Sequence, residues 1–406
     1  MPSNIQIKVA RIVEFGEPLV VGLAPKPIPG PRDVLVRVGA CSLVRLSCSP
    51  SVLIEAELTS SRLRRLKGPG IKDIISGYAP MPMQDLPAIF GLDVAGVIEA
   101  VGEYVLHHKV GDRVYVNPSL SCVACPMCRK GRRDLCPSNC LRGYFAIGPL
   151  GKALLDQYPY GGLSQYVVSP DSKIALLPES ISLETASRLG YAGTSYAALK
   201  KADVGPGKTV LINGVTGSLG VAAVAIALGL GASKILGIGR STERLAQVMA
   251  LAPKDSSRVQ TYRSINSEGP EKAARWAAEQ TASGEGVDAI IDCLGTGGPA
   301  KLTEALLRQA VRPGGKVVLL ADATEGDISQ SYSSWFTRDV AVLGSNFFYD
   351  GEIDELIGLV DAGVVNLSWL ETKAFALDKV NEAVESVAGN LGGFVNVVVV
   401  PDDAPQ

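Results

Sequence analysis

At 406 residues the chain is long enough for two domains, each with a hydrophobic core of its own. A formal charge of −2 and a pI near 5.9 exclude broad electrostatic attraction to nucleic acid or to an anionic membrane. There is no charged start followed by an apolar run, and no run approaches the roughly 18 apolar residues of a membrane span, so a soluble cytoplasmic protein is expected.

Residues 5 to 40 alternate as strands do, in IKVARIVEF, LVVGLA and DVLVRVGA, with Pro/Gly punctuation from Pro25 to Pro31; they open a β-rich domain. From 50 to 86 the pattern loosens into a short helix over Val52 to Leu58, a basic patch at Arg62, Arg64, Arg65 and Lys67, and a proline-rich exit. A solvated loop is the first reading of that patch, and a lid over a substrate pocket the second. PAIFGLDVAGVIEAVG (87 to 102) and HHKVGDRVYV (107 to 116) follow, with the chain's two histidines, His107 and His108, in a polar surface turn.

The eight cysteines are mostly clustered, which in a reducing compartment points to metal rather than disulfides. Cys122, Cys125, Cys128 and Cys136 are spaced Cys-x2-Cys-x2-Cys-x7-Cys. Four thiolates on one short loop suit tetrahedral zinc, and a shell of four sulfurs leaves no open position, so one structural Zn2+ is expected. Cys140 falls outside the pattern, and Cys293 sits in a buried strand.

Residues 209 to 240, TVLINGVTGSLGVAAVAIALGLGASKILGIGR, organise the rest. A strand (Val210, Leu211, Ile212) ends in a turn studded with Gly214, Gly217 and Gly220; an alanine-rich helix follows, then a second strand over Ile235 to Ile238. Such glycines allow close backbone approach to a pyrophosphate, and the helix start aims unpaired N–H groups at it. Gly214, Val215, Thr216, Gly217, Ser218, Leu219 and Gly220 are therefore assigned to a dinucleotide. NAD-binding units place Asp or Glu after the second strand for the ribose 2′-hydroxyl, whereas a basic residue there accommodates a 2′-phosphate. Here the strand ends Gly239-Arg240-Ser241 with Arg244 one turn on, and Glu243 lies inside the helix, so NADP(H) is expected over NAD(H).

Further on, STERLAQVMALA (241 to 252) and EKAARWAAEQTA (271 to 282) read as helices. VDAIIDCLG (287 to 295) and GKVVLLADA (315 to 323) read as parallel strands with the nicotinamide end at their tips, near Ala321. SQSYSSWFTRD (329 to 339) and Asn346 to Tyr349 are expected to bring aromatics towards a cleft, for a bulky, flat or apolar small-molecule substrate.

Together, DVLVRVGACS, PAIFGLDVAGVIEAVG, KVGDRVYV, the cysteine cluster, GGLSQYVV and the glycine loop closely resemble the medium-chain dehydrogenase/reductase superfamily, in its zinc-type alcohol dehydrogenase branch, over essentially the whole chain. The resemblance implies an α/β protein with two domains. One is a GroES-like catalytic domain over 1–185 and 345–406, with the zinc lobe at about 117–142. The other is a Rossmann NADP-binding domain with a doubly wound parallel sheet over 186–344. It also implies a homodimer formed through RDVAVLGSNF (338 to 347).

The same resemblance exposes a loss. Members of alcohol dehydrogenase type hold a second, catalytic zinc with Cys, His and Cys, leaving one position open. Here the Gly-His-Glu triplet is Gly91-Leu92-Asp93, the first Cys is Val44 with Cys41 and Cys48 flanking it, and the last falls at Leu189, Gly190 or Tyr191. Without a Lewis acid, oxidation of simple alcohols loses its main device. NADPH can still reduce an acceptor already polarised: a conjugated C=C, an activated C=O, a quinone or an iminium.

The resemblance nominates Tyr191, Ser47 and Asp93 as catalytic groups, with Ser42 near the hydroxyl relay whose aligned position is Leu46; Asp93 could instead orient arginine or backbone groups. Thr194 resembles the threonine that packs on the nicotinamide, and Arg45 the residue that reaches the pyrophosphate. Two other readings stay open: an alcohol dehydrogenase or carbonyl reductase with a metal site rebuilt from Cys41 or Cys48 and Asp93, and a non-catalytic NADPH-binding scaffold or sensor.

Overall fold

The computed structural model describes residues 5–43, 75, 81–253, 256–295, 298–321, 326–389 and 391–401. Val44, Arg45, Leu46, Ser47, Cys48, the helix expected over Val52 to Leu58 and the basic patch after it lie outside the described residues.

Six parallel strands stand behind the glycine loop, in the order Val259–Arg263, Lys234–Gly239, Thr209–Asn213, Val287–Asp292, Val311–Leu319, Ala341–Gly344. Numbered by appearance this is 3-2-1-4-5-6, the doubly wound dinucleotide-binding order, which reverses between Thr209–Asn213 and Val287–Asp292. The central strands are continuous apolar runs because helices cover both faces. Val210, Ile212 and Ile291 face helices Leu189–Lys201, Ser218–Gly229 and Asp350–Asp361. Leu211, Leu236 and Ile290 face Pro270–Glu279 and Ala300–Gln309. Ser218–Gly229 is buried from Gly220 to Ala227, which is why SLGVAAVAIALG shows no polar stripe.

A second, mainly antiparallel sheet runs Glu371–Ala376, Val395–Val400, Asp33–Ser42, Asp93–Val101, Arg113–Val116, Ile174–Leu176, with Tyr166–Pro170 also paired to Asp33–Ser42. Its register sets Ser42 opposite Asp93 and Tyr115 opposite Ala95, so the end of one strand and the start of the next meet beside Tyr115.

Residues 329–339 do not run into a cleft. Tyr332–Arg338 is a short helix that turns Trp335 onto the core beneath the parallel sheet. Tyr332 and Phe336, four apart and therefore on one face, stay 86% and 80% exposed. Among the described residues no helix is long and apolar enough to cross a membrane.

Candidate active site

A two-strand ladder, Ser119–Leu120 with Cys140–Leu141, closes a lobe around the cysteines. The ligand sulfurs of Cys122, Cys125, Cys128 and Cys136 all lie within 4.8 Å of one another, with Cys122 and Cys136 Sγ at 3.5 Å. Zinc–sulfur bonds of about 2.3 Å set tetrahedral sulfurs about 3.8 Å apart, so the cage fits the ion. Backbone N–H groups of Cys122, Cys125, Cys128 and Ser138 donate to these sulfurs at 3.3–3.5 Å. Such bonds, from Ala124 and Cys125 above all, pull the Cys122 thiol down to about 7, although burial opposes them. Cys140 is buried outside the cage.

The glycine loop has the backbone geometry that dinucleotide sites use. Gly214 has φ +77°, and a Cβ on Gly220 would lie 2.5 Å from Gly214 O and 2.6 Å from Val215 Cα, so helix and turn touch through bare backbone. Gly217 caps the helix without a side-chain bond, and the first turn carries no acid, leaving its N–H groups for a phosphate. Gly239 abuts Thr216, and Ser241 caps the next helix by accepting from Arg244 N at 3.3 Å. Leu219 O accepts from Ser195 Oγ at 2.9 Å, and Ala321 follows the strand Val311–Leu319.

Arg240 is exposed at the strand end, and its carbonyl accepts from Arg263 Nε at 3.3 Å. Arg263 stands opposite Gly239 in the neighbouring strand, which adds a basic group that sequence reading missed. From the other domain, Gly393 N donates to Thr216 O at 2.9 Å and Gly392 packs on Arg244.

Between loop and antiparallel sheet lies a buried charge cluster. The Tyr115 hydroxyl donates to Asp93 Oδ1 at 2.8 Å, and both residues are buried. Burial pushes the Asp93 carboxyl up to about 6, against the pull of Tyr115 and of the Arg188 and Arg142 guanidiniums. Gly190 explains its placement: a Cβ there would lie 2.1 Å from Asp93 Oδ1, so the carboxylate fills the room of a missing side chain. Leu92 is buried in the apolar core with Phe90, Tyr144 and Leu163. Cys41 is buried against Gly91 and Gly162, its thiol pushed far up by burial.

Arg188 reaches the other way, Nη2 donating to Ser218 Oγ at 2.5 Å while its guanidinium lies 4.2 Å from the Tyr191 ring centre. Thr194 turns its hydroxyl back to Gly190 O at 2.8 Å. Ser42 Oγ pairs with Asn396 Oδ1 at 2.5 Å. The structure thus brings Asp93, Tyr191 and Ser218 around Arg188, which carried no spacing signal of its own.

A cavity of about 220 Å3 opens between the cysteine lobe and residues 346–351. Its walls combine Phe347, Phe348 and Tyr349 with Arg133, Lys173 and Asp350. Asp350 accepts from buried Lys173 at 3.0 Å, from Arg133 at 2.5 Å and from Asn117 at 2.7 Å, which ties helix Asp350–Asp361 to the lobe. Phe347 and Phe348 stack at 4.7 Å, and Phe348 packs on Gly193 next to Thr194.

The sequence matches the Alcohol dehydrogenase GroES-like domain family over residues 30–179 and the Zinc-binding dehydrogenase family over 218–362. It is 30% identical over 304 residues to a sorbitol dehydrogenase of Arabidopsis thaliana, covering 74% of this chain and 77% of that protein. Among solved structures, AibC superposes with a TM-score of 0.77 at 24% identity, covering 99% of this chain and 96% of that one. A zinc-binding dehydrogenase of Sinorhizobium meliloti 1021 bound to NADP gives 0.74 at 21%, with 98% and 100% covered.

Proposed function

The chain belongs to the zinc-type alcohol dehydrogenase-like branch of the medium-chain dehydrogenase/reductase superfamily and is an oxidoreductase; from that premise we propose that it reduces a polarised double bond with NADPH and works without a catalytic zinc. The observation that carries this reading is the filling of the ligand positions. Leu92 is locked in the apolar core, and the Asp93 carboxylate occupies the space beside Gly190 where another ligand would project. Neither position offers a nitrogen or sulfur to a metal.

When bound, the nicotinamide supplies a hydride for the acceptor's electrophilic carbon. The protein's part is binding and charge. N–H groups of the helix's first turn, from Ser218 onward, hold the pyrophosphate, and Arg240 with Arg263 and Arg244 faces the 2′-phosphate. The NADP-bound relative, similar in fold, is consistent with this preference. Arg188 anchors the loop through Ser218 and fixes the Tyr191 ring, so that Tyr191 is the group to donate a hydrogen bond or proton to the atom gaining negative charge. Asp93 serves as a buried anion that orients Tyr115 and Arg188. The cavity beside Phe347 has none of these residues in its walls; Tyr191 lines a narrower space with Arg188, Ser218, Leu367 and Trp369, whose apolar and aromatic walls suit an acceptor with a flat apolar body. The cysteine cage holds a structural zinc, and the outer strand Ala341–Gly344, flanked by exposed Tyr332 and Phe336, is the face for a second copy.

The test is NADPH oxidation over a panel of enones, quinones, activated carbonyls and iminium compounds, with metal analysis. Turnover with about one zinc per chain supports the proposal; two zincs per chain, or no turnover with any acceptor, sinks it. The curated relatives named sorbitol dehydrogenase and D-xylulose reductase support a second reading, a polyol dehydrogenase with a rebuilt metal site, which requires the second zinc.

A further inference from the structure

The strand Val395–Val400 of the antiparallel sheet is reached through Leu391-Gly392-Gly393-Phe394, and this approach runs along the cofactor turn of the other domain. Phe394 anchors it. Its carbonyl accepts from Glu371 N at 2.8 Å, and its ring meets the Trp369 ring edge-on at 5.8 Å and packs on the core that holds Val215 and Val221. The two glycines before it then touch two different parts of the site. Gly393 N donates to Thr216 O at 2.9 Å, and a Cβ on Gly393 would lie 2.4 Å from Gly217 O, so backbone lies on backbone. Gly392, at φ +78°, meets a side chain instead: a Cβ there would lie 2.9 Å from Arg244 Nε, 3.1 Å from its Cζ and 3.2 Å from its Cδ. Non-bonded heavy atoms rest about 3.5–4.0 Å apart, so only a residue without Cβ lets this guanidinium lie where it does.

The two contacts bear on different parts of a dinucleotide. NAD and NADP share the pyrophosphate assigned to the turn from Gly214 to Gly220, and only NADP carries a 2′-phosphate. Arg244 stands half-buried in the first turn of helix Thr242–Met249, its N–H held by Ser241 Oγ. An arginine on a helix surface spreads over many rotamers, and ordering it at the moment of binding weakens the complex. Against the bare backbone of Gly392, part of that ordering is already done.

We propose that Gly392 determines cofactor specificity as a positioning residue acting through Arg244: its missing side chain gives the guanidinium a floor on which it waits, ordered, for the 2′-phosphate. Preference for NADP is then set by both domains, since the floor belongs to the catalytic domain and the arginine to the Rossmann domain. Gly393, one residue on, supports the turn that either cofactor uses. The inference rests on the NADPH reading above and deepens it.

The test is the ratio of NADH to NADPH dissociation constants, from fluorescence titration of the full chain, because backbone strain at a positive φ affects both cofactors and cancels in the ratio. Gly392→Ala should lower the ratio about two- to tenfold, whereas Gly393→Ala should weaken both cofactors alike and leave it unchanged. Arg244→Ala should lower it as well, and adding Gly392→Ala to Arg244→Ala should lower it no further. Should Gly392→Ala not fold, Gly392→Asn, which tolerates a positive φ but carries the same Cβ, replaces it with the same expected result. A Gly392→Ala ratio equal to wild type while Arg244→Ala lowers it overturns the proposal, and so does an undiminished further drop in the double variant. An Arg244→Ala ratio equal to wild type also overturns it. A wild type that binds NADH as tightly as NADPH fails the cofactor reading itself, and the proposal with it.

Discussion

Substituting Asp93 by Asn gives the sharpest test of the buried cluster. Asn keeps an oxygen to accept the Tyr115 hydrogen bond and nearly the same volume against Gly190, but it does not titrate. In the folded protein the Asp93 carboxyl is raised from 3.8 to about 6, a shift of about 2 units and hence about 3 kcal/mol at roughly 1.36 kcal/mol per unit. A raised folded value means that the native state holds a proton the unfolded chain has released. Asp93 therefore contributes its stability below about pH 4, and that contribution is lost as pH rises through about 6.

Urea unfolding of wild type and Asp93→Asn across pH 4 to 8, at one fixed protein concentration, isolates the effect, because carboxylates common to both proteins cancel. Wild type minus variant should fall by about 2–2.5 kcal/mol between pH 4 and 7, the rest having gone below pH 4, and flatten above that. A difference independent of pH, or one that rises with pH, would refute the reasoning: the carboxylate would then be at least as well stabilised in the fold as in water.

Four further outcomes are expected. Gly220→Ala pushes a methyl group to 2.5 Å from Gly214 O; it should cost about 1–3 kcal/mol of stability and weaken NADPH binding, by denaturation and fluorescence titration. Arg240→Ala or Arg263→Ala should weaken NADPH about tenfold or more, near 1.4 kcal/mol, with NADH affinity unchanged; equal losses for both cofactors would remove the 2′-phosphate assignment. Cys125→Ser should lower the zinc content and make the lobe 117–142 sensitive to protease while NADPH affinity stays within tenfold. Replacing Tyr332 and Phe336 by Ser should turn a sedimenting dimer into monomers; a persisting dimer would assign the interface elsewhere.

The elements legible in the sequence are those whose signal is local. The glycine loop, the strands beside it and the cysteine spacing lie within a few dozen residues of one another, so period and turn chemistry suffice. The edge strand Val259–Arg263 has only one buried residue, and a polar half-exposed run of that kind carries no alternation to detect. The helix Tyr332–Arg338 was hidden by its serines and aromatics, which resemble cleft lining until the one-turn spacing of Tyr332 and Phe336 is placed on a surface. Arg188 and Arg263 escaped for a different reason. Each acts through partners far away in sequence, as with Arg188 and Ser218 or Arg263 and Arg240, and a lone arginine has no motif. Asp93 was legible as a position, but its meaning came from Gly190, whose missing side chain leaves the room it fills.

The bond from Gly393 to Thr216 also closes a very long stretch of the chain. Thr216 lies in the first half of the cofactor turn and Gly393 just before the last strand, so a very long loop must close before this contact forms. Emerging from a ribosome, the parallel sheet can assemble while the end of the chain is still missing, but the back of the phosphate loop stays uncovered until the final strand arrives. The proposed nucleotide site is then complete only with the final strand in place, and truncation ahead of Gly392 should leave a folded sheet that holds its cofactor poorly.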